Sequence, residues 1–173
     1  MEIFIIEINN AEKVKEETLK QFQKKEISDE NKWKAHCLSY LLVDKFLEEV
    51  YGIESREIVF DEGKPILIDG GKHFSISHSG DLIAIAFSDS NCGVDIEKIK
   101  LREFQSISER MGFEANTLGE FYEEWTRYEA LYKLGTNNEY GSIANYDLDD
   151  YALTAVNEDP CEEFELFYQA SDE

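Results

Sequence analysis

Side chains capable of chemistry are concentrated between residues 63 and 133 of this 173-residue chain. Three carboxylates, two lysines and one histidine recur there at spacings that secondary structure can bring together: Lys64, His78, Asp95, Glu97, Glu129 and Lys133. Carboxylate oxygens suit Mg²⁺, which usually binds through one or two carboxylates together with waters and substrate phosphates. The set therefore fits a magnesium ion and a polyphosphate ligand.

The segment from Val94 to Glu97 alternates apolar and acidic residues. Alternate side chains of a strand share a face, so Val94 and Ile96 should enter the core while Asp95 and Glu97 project together on the other side. Two carboxylates so close repel each other unless a cation lies between them. Taken alone, the two acidic residues fit an ordinary solvated strand face better.

Trp125, Glu129 and Lys133 follow one another at intervals of four residues, which places them on one stripe of a helix. Glu129 is a candidate third metal ligand or a base, and Lys133, one turn further on, can meet a phosphate. The alternative is a surface Glu–Lys pair worth only about 0.2–0.5 kcal/mol, and these residues alone favour that alternative.

Two loops add weaker signals. Gly63-Lys64-Pro65 is a short turn in which glycine permits close backbone approach and proline fixes the exit. Ser77-His78-Ser79 should lie at the tip of a hairpin, where the histidine either binds a phosphate or is simply exposed. The order of residues does not indicate a Ser-His-Asp hydrolase, and His36 is expected to be structural.

The elements that must position these residues follow from periodicity and turn signals. We expect a long helix from Ser28-Asp29 to Gly52 and a second from the capping box at Thr117 to Gly135, with a helix or mobile segment over 11–25. Strands are predicted over 2–8, 57–60, 66–68, 73–77, 82–87, 92–96, 151–156 and 164–168. Each half thus has strands and one long helix, which predicts an α/β (α+β) chain of two pseudo-symmetric halves.

The halves should be residues 1–90 and 91–173, each a small antiparallel sheet against a long helix, with the ligand in the cleft between them. Two halves in one chain favour a monomer. The net charge of −21 argues against a nucleic-acid surface. After Lys133 the chain has no lysine or arginine, so residues in the first two-thirds of the chain should bind an anionic ligand.

Several observations favour a cytoplasmic protein. No apolar run approaches the roughly 18 residues of a membrane span, and the start of the chain lacks the features of a secretory signal. The cysteines Cys37, Cys92 and Cys161 are odd in number and widely spaced, which favours reduced thiols rather than disulfides or zinc ligands.

The order of the motifs resembles the 4′-phosphopantetheinyl transferases, in particular the larger type that activates peptide and polyketide synthetases. That family runs GKP, (F/N)xSHS, G(I/V)D(I/V)E and W(T/S)xKExxxK. This chain supplies Gly63–Pro65, Phe74–Ser79, Gly93–Glu97 and Trp125–Lys133. The resemblance covers about residues 30–135, and Tyr151–Tyr168 is similar to the family's closing strands.

The resemblance implies transfer of the phosphopantetheine arm of coenzyme A to a serine of an acyl- or peptidyl-carrier protein, with release of adenosine 3′,5′-bisphosphate. It implies that Asp95, Glu97 and Glu129 hold Mg²⁺ against the pyrophosphate. Lys133 would stabilise charge on the attacked phosphate, and Glu129 would help to deprotonate the carrier serine. Phosphoryl transfer depends mainly on such positioning and charge neutralisation.

The same resemblance assigns the remaining cofactor contacts. Gly63, Lys64 and Pro65 would contact the adenine end of coenzyme A, and Ser77 and His78 would contact its phosphates. No nucleic acid and no membrane is expected as a partner.

Two positions depart from the family pattern. Tyr128 stands where the family has the lysine of W(T/S)xKE, which removes a cation worth about 2–4 kcal/mol of transition-state stabilisation. Asp44 lies near the place of an arginine that meets the 3′-phosphate, and Lys24, Lys25 or Lys34 would have to compensate. The segment between Gly135 and Tyr151 is also shorter than in typical members.

These departures leave alternatives open. The second hypothesis is a degenerate relative that binds coenzyme A or a carrier protein without transfer. The third is an unrelated acidic domain that binds a metal or a protein. The net charge is unfavourable for an enzyme whose ligand and protein partner are both anionic.

Overall fold

The computed structural model describes residues 1–135 and 139–169. The strands within them are β1 (Glu2–Glu7), β2 (Ile58–Asp61), β3 (Lys64–Leu67), β4 (His73–Ser79), β5 (Leu82–Ser88), β6 (Cys92–Lys98), β7 (Ser142–Leu148), β8 (Tyr151–Asn157) and β9 (Glu165–Gln169). The α-helices are α1 (Glu16–Lys20), α2 (Glu30–Glu49), α3 (Gln105–Met111) and α4 (Leu118–Leu134), and a 3₁₀ helix covers Ile8–Lys13.

The strands form three small sheets. One has the order β4-β5-β1-β9, the second is the β2-β3 hairpin, and the third has the order β6-β8-β7. All pairings are antiparallel except that of β1 with β9, which is parallel. The predicted mixture of helices and small antiparallel sheets is confirmed. The C-terminal strand β9 lies in the same sheet as β1, so the last strand of the chain returns to the N-terminal part.

Helix α2 begins where the sequence predicts. The Asp29 side chain accepts a hydrogen bond from the Lys32 amide at 2.8 Å and so caps the first turn. Its apolar face packs against β1 and β5 in a core that includes Leu38, Leu47, Ile83, Ile85 and Phe87. The polar stretch before it forms the 3₁₀ helix and α1, so the expected structure over 11–25 is confirmed only as short helical pieces.

Helix α4 has the predicted capping box, in which Thr117 and Glu120 each bond the other's backbone amide. It ends at Gly135, which has a left-handed φ of 80°. The helix packs on β6 so closely that a Cβ on Gly93 would lie 2.1 Å from the Ala130 carbonyl oxygen. Gly93 therefore lets α4 approach the strand that carries Asp95 and Glu97.

A second core joins the four-stranded and three-stranded sheets, and it includes Ile3, Ile5, Ala84, Val94 and Ile96. On its other side, the four-stranded sheet packs against α2 and the three-stranded sheet packs against α4. The pseudo-symmetry of two halves divided at residue 90 stays a prediction. Sequence periodicity missed α3 and β7, which have few apolar residues on a regular face.

The remaining expectations concern the membrane and the cysteines. Among the described residues, no helix combines the length and apolar character needed to cross a membrane. Cys37 and Cys92 are buried, Cys161 is exposed, and all three are free thiols.

Candidate functional site

A cavity of about 870 Å³ lies between α2, the β2-β3 hairpin, β4 and the C-terminal turns of α4. Its walls carry all three histidines of the chain and three lysines: His36, His73, His78, Lys25, Lys64 and Lys133. The acidic residues on these walls are Asp61, Glu62 and Glu129. In a chain of net charge −21, this cavity gathers basic groups and is suited to an anion.

A second cavity, of about 810 Å³, contains none of the predicted site residues. Carboxylates dominate its walls: Glu7, Glu12, Asp81, Asp147, Asp149 and Asp150. Lys34 and Lys98 are its lysines, and Lys98 is already paired with Asp81 at 3.0 Å. A polyphosphate would be repelled there, so the first cavity is the better candidate.

Asp95 is buried next to the first cavity, with 4% of its surface exposed. Its Oδ1 accepts hydrogen bonds from Ser77 Oγ at 2.8 Å and from Lys133 Nζ at 2.7 Å. Its Oδ2 is buried without a hydrogen-bond partner. Burial raises the pKa of Asp95, and the charge of Lys133 opposes that rise. The alternative of a solvated strand face is therefore wrong for Asp95.

Glu97 shares the face of Asp95, since Val94 and Ile96 are fully buried in the core as predicted. The half-buried Glu97 accepts a hydrogen bond from Ser79 Oγ at 2.8 Å. Burial raises the pKa of Glu97, the Ser79 bond opposes this, and the charge of Asp95 raises it further. The charge of Asp95 thus disfavours the charged form of Glu97, and a cation between the two carboxylates would relieve this.

Helix α4 contributes Glu129 and Lys133, one turn apart on the cavity wall. Lys133 forms its ion pair with Asp95, and its ammonium also donates to the Val94 carbonyl at 3.0 Å. The alternative of a surface Glu–Lys pair is therefore wrong. Burial raises the pKa of Glu129, the charge of Asp95 raises it further, and Lys133 opposes both. Glu129 is consequently a stronger base than an exposed glutamate.

The carboxylates Asp95, Glu97 and Glu129 offer oxygen ligands of the kind that Mg²⁺ prefers. The described residues contain no group of three potential ligands already gathered around one point. Magnesium does not require such a group, because it usually binds through one or two carboxylates plus waters and substrate phosphates. The unpartnered Asp95 Oδ2 is a free oxygen ligand held at a fixed place. The donor set fits magnesium.

The predicted GKP loop is a two-residue hairpin turn. Asp61 pairs with Lys64 across it, and Glu62 and Gly63 have φ angles of 48° and 86°. Positive φ at both central residues is the type I′ pattern, which favours glycine at the second position. The turn lies on the cavity wall with Pro65.

The Lys64 ammonium is used within the protein. It donates to the Asn91 side chain and to the carbonyls of Cys92 and Leu134, the last two at 3.3 Å each. Asn91 Nδ2 also donates to the Leu134 carbonyl, at 2.8 Å. Lys64 therefore joins the hairpin to the C-terminus of α4, where a positive charge is favourable. This contact was not predictable from the sequence, because the partners are far apart along the chain.

Ser77 and His78 point to opposite sides of β4, as neighbours on a strand must. His78 lies on the cavity wall, and burial together with the charge of Lys133 lowers its pKa. Ser77 is buried against β6, where its hydroxyl accepts from the Ile96 amide at 3.2 Å and donates to Asp95. The structure brings His78 to the cavity and places Ser77 behind Asp95.

The two departures from the motif pattern have distinct surroundings. Asp44 forms an ion pair with Arg56 at 2.9 Å, and it is not among the residues that line the cavity. Its negative charge is therefore partly neutralised. Tyr128 is 44% exposed and lies against Trp125 and Phe113 at the surface of α4.

Comparison with known proteins gives relatives but no matching family model. The chain is 31% identical over 121 residues to the 4′-phosphopantetheinyl transferase psf-1 of Bacillus pumilus, covering 60% of this chain and 51% of the relative. It is 30% identical over 125 residues to 4′-phosphopantetheinyl transferase gsp of Aneurinibacillus migulanus, covering 65% and 52%. It is 36% identical over 99 residues to 4′-phosphopantetheinyl transferase AcpT of Salmonella typhi, covering 50% and 48%. The chain spans about half the length of the curated relatives it matches.

Proposed function

We propose that this chain, which is similar in sequence to 4′-phosphopantetheinyl transferases, transfers the 4′-phosphopantetheine group of coenzyme A to a serine of an acyl- or peptidyl-carrier protein. The observation that carries the proposal is the contact of Lys133 with Asp95 beside a cavity rich in basic groups. It combines a fixed carboxylate for a cation with a surface for a polyphosphate.

The proposed reaction has one bond-forming step. The serine oxygen of the carrier protein attacks the phosphorus that bears the pantetheine arm. The bond from this phosphorus to the bridging oxygen breaks, and adenosine 3′,5′-bisphosphate leaves with that oxygen. Glu129 accepts the serine proton, directly or through a water.

Asp95, Glu97 and Glu129 would hold Mg²⁺, which supplies charge neutralisation to the pyrophosphate when bound. Lys133 keeps Asp95 Oδ1 in place, so that Oδ2 remains free for the metal. An ammonium has three protons, and Lys133 uses two of them on Asp95 and the Val94 carbonyl. The third has no acceptor among residues 1–135 and 139–169, and we expect it to donate to a phosphate oxygen.

The cavity walls would bind the rest of coenzyme A. His78 and Lys133 lie where the phosphates are expected, and the Gly63–Pro65 turn forms the part of the wall predicted for the adenine end. Since the Lys64 ammonium is bonded to α4, we expect its backbone and aliphatic stem to make that contact. Ser77 acts on the phosphates only through Asp95. The proposal includes a monomer in the cytoplasm with reduced thiols.

The proposal is tested in two stages. Calorimetric titration of coenzyme A with Mg²⁺ and then with EDTA should show binding that depends on the metal. Apo carrier proteins incubated with the protein, coenzyme A and Mg²⁺ should then gain the mass of one phosphopantetheine, and carriers whose acceptor serine is alanine should not. Absence of binding with and without Mg²⁺ would overturn the proposal.

A second candidate function is binding of coenzyme A or a carrier protein without transfer. Tyr128 favours it, because a tyrosine replaces a motif lysine and no cation takes that position. The two candidates differ in one result: the binding protein would show metal-dependent affinity for coenzyme A but would give no mass gain on any carrier.

A further inference from the structure

Strands β4 and β6 run side by side but belong to different sheets. Three serines of β4 replace the missing backbone pairing. Ser75, Ser77 and Ser79 accept hydrogen bonds from the amides of Val94, Ile96 and Lys98 at 3.0, 3.2 and 3.0 Å. The spacing of two residues on both strands shows that the strands are parallel and in register. We refer to these three serines as the serine seam.

Two members of the serine seam also donate to a carboxylate. Ser77 donates to Asp95 and Ser79 donates to Glu97, each at 2.8 Å. A hydroxyl has one proton, so a serine that accepts from the amide of one residue can direct that proton to the side chain of the residue before it. Ser75 has no such acceptor, because the corresponding residue of β6 is Gly93.

The two carboxylates differ in how many groups hold them. Asp95 is bonded to both Ser77 and Lys133. Within residues 1–135 and 139–169, Ser79 is the hydrogen-bond partner found for Glu97, which has no ion pair there. From this difference we infer that Ser79 is a positioning residue that fixes Glu97 Oε2 and so presents the other oxygen, Oε1, to the metal. The inference deepens the proposed function and rests on it for the metal assignment.

The physical basis is the orientation of a ligand before its metal arrives. A free glutamate side chain has several rotamers, and binding a cation through it costs the loss of that freedom. A hydrogen bond to one carboxylate oxygen removes part of this cost in advance. Groups that orient metal ligands in this way typically change metal affinity by about 10- to 100-fold when they are removed.

The test uses Mn²⁺ as the probe and electron paramagnetic resonance of the free ion to measure binding. Asp95→Ala identifies the part of the binding that belongs to this site, since other acidic surfaces also attract the ion. We expect Ser79→Ala to weaken that part at least about tenfold. Ser75→Ala is the matched control, because it removes a seam hydroxyl bonded to an amide but to no carboxylate, and it should change the affinity less than twofold.

Folding and orientation are separated by two further measurements. Urea unfolding should give similar losses of stability for Ser75→Ala and Ser79→Ala, since each loses one bond to β6. Ser79→Thr restores the hydroxyl and should bring Mn²⁺ affinity back to within about threefold of the original. If Ser79→Ala binds Mn²⁺ as the unchanged protein does, or if Asp95→Ala removes no binding, the inference is overturned.

The outcome is distinguishable from failure of the proposed function. A loss of Mn²⁺ affinity in Ser79→Ala supports the positioning role even if no carrier protein gains mass. Transfer by the unchanged protein together with unaltered Mn²⁺ affinity in Ser79→Ala supports the proposed function and overturns the role of Ser79.

Discussion

The two walls of the candidate cavity hold their charged groups in different ways. The first wall, which we call the ordered wall, has Glu129 and Lys133 of α4 on the cavity surface, supported by the β6 carboxylates Asp95 and Glu97, which do not themselves line the cavity. Asp95 is fixed by Ser77 and Lys133, and Glu97 by Ser79. The second wall carries the three histidines, and desolvation by burial is the largest cause that lowers the pKa of each one. The first wall is charged and ordered, and the second is basic but largely neutral at pH 7.

This difference indicates that the two walls have different roles. Carboxylates held by hydrogen bonds can accept a cation with little rearrangement, which favours the ordered wall as the place where reacting groups are aligned. Neutral histidines near a polyanion gain protons when the ligand binds, since an adjacent negative charge raises their pKa. The histidines of the second wall therefore change their protonation when the ligand binds, whereas the carboxylates of the first wall are already oriented by hydrogen bonds.

The strongest test of the ordered wall is Glu129→Ala. Loss of the proposed base and metal ligand should lower the rate of carrier modification by about 1,000-fold or more. The fold should persist, because Glu129 is only half-buried on the helix surface. Mass spectrometry of the carrier protein measures the rate, and circular dichroism checks the fold.

The matched control for Glu129→Ala is Glu123→Ala. Glu123 is an exposed carboxylate of the same helix and is not among the residues that line the cavity. It should retain activity within about twofold, since exposed changes away from a site have small effects. Full activity in Glu129→Ala would remove Glu129 from both proposed roles.

The second prediction concerns a variant in which α4 is moved away from β6. Gly93→Ala places a Cβ 2.1 Å from the Ala130 carbonyl, so α4 must shift away from β6. Overpacking of this kind costs about 1–3 kcal/mol of folding stability. Displacement of Glu129 and Lys133 by about 1 Å should reduce transfer by about 100-fold.

Gly119→Ala controls for the loss of glycine itself. Gly119 lies in α4. A Cβ at this position would have Thr117 Oγ1 as its near neighbour, at 4.0 Å. Urea unfolding and a carrier-modification assay compare the two variants. Equal stability and activity in Gly93→Ala and Gly119→Ala would show that the close approach of α4 is dispensable.

Sequence reasoning predicted most of the elements that carry this wall. The alternation of Val94 to Glu97 indicated the strand and its two faces, and the Thr117 capping box indicated the start of α4. Both signals are local, since they depend on residues within one or two turns. The hairpin tip predicted at Ser77-His78-Ser79 is wrong, because β4 extends to Ser79 and the turn lies at residues 80–81.

The partners of the site residues were not predictable in the same way. Ser79 and Glu97 are 18 residues apart, and Lys64 and Leu134 are 70 apart. Such contacts depend on how sheets and helices pack, which the pattern of one segment does not contain. The alternate serines of β4 were visible in the sequence, but only the neighbouring position of β6 gives them a role.

The third prediction restores the motif lysine at position 128, which is not among the residues that line the cavity. Under the proposed function this lysine reaches the transferred phosphate, so Tyr128→Lys should raise kcat/KM for carrier modification by about 10- to 100-fold by stabilising the transition state. Tyr128 is 44% exposed, so a lysine can replace it without burying its charge. Leu101→Lys, at a position 96% exposed, controls for the change in net charge.

The result also separates the two candidate functions. A transferase should show measurable activity before the change and more after it. A binding protein should show none before the change, and activity that arises only in Tyr128→Lys would support the degenerate alternative. Equal gains in Tyr128→Lys and Leu101→Lys would show that the effect is one of overall charge and that Tyr128 has no special place.

The smallest expected effect concerns the histidines of the second wall and is a dependence of folding stability on pH. Burial, followed by the charge of Lys25, lowers the pKa of His36 to about 4, and its Nε2 accepts a hydrogen bond from the Lys24 amide at 3.0 Å. The pKa is about 6.5 in the unfolded chain, so the unfolded state binds more protons between these values. The contribution of His36 to stability is therefore fully present above about pH 6.5 and is lost as the pH falls towards 4.

Urea unfolding should show His36 contributing a loss of about 1–2 kcal/mol between pH 7.5 and pH 5. His36→Gln cannot gain a proton, so its pH dependence should be smaller by that amount, and an unchanged dependence would show that His36 does not stay neutral in the folded protein.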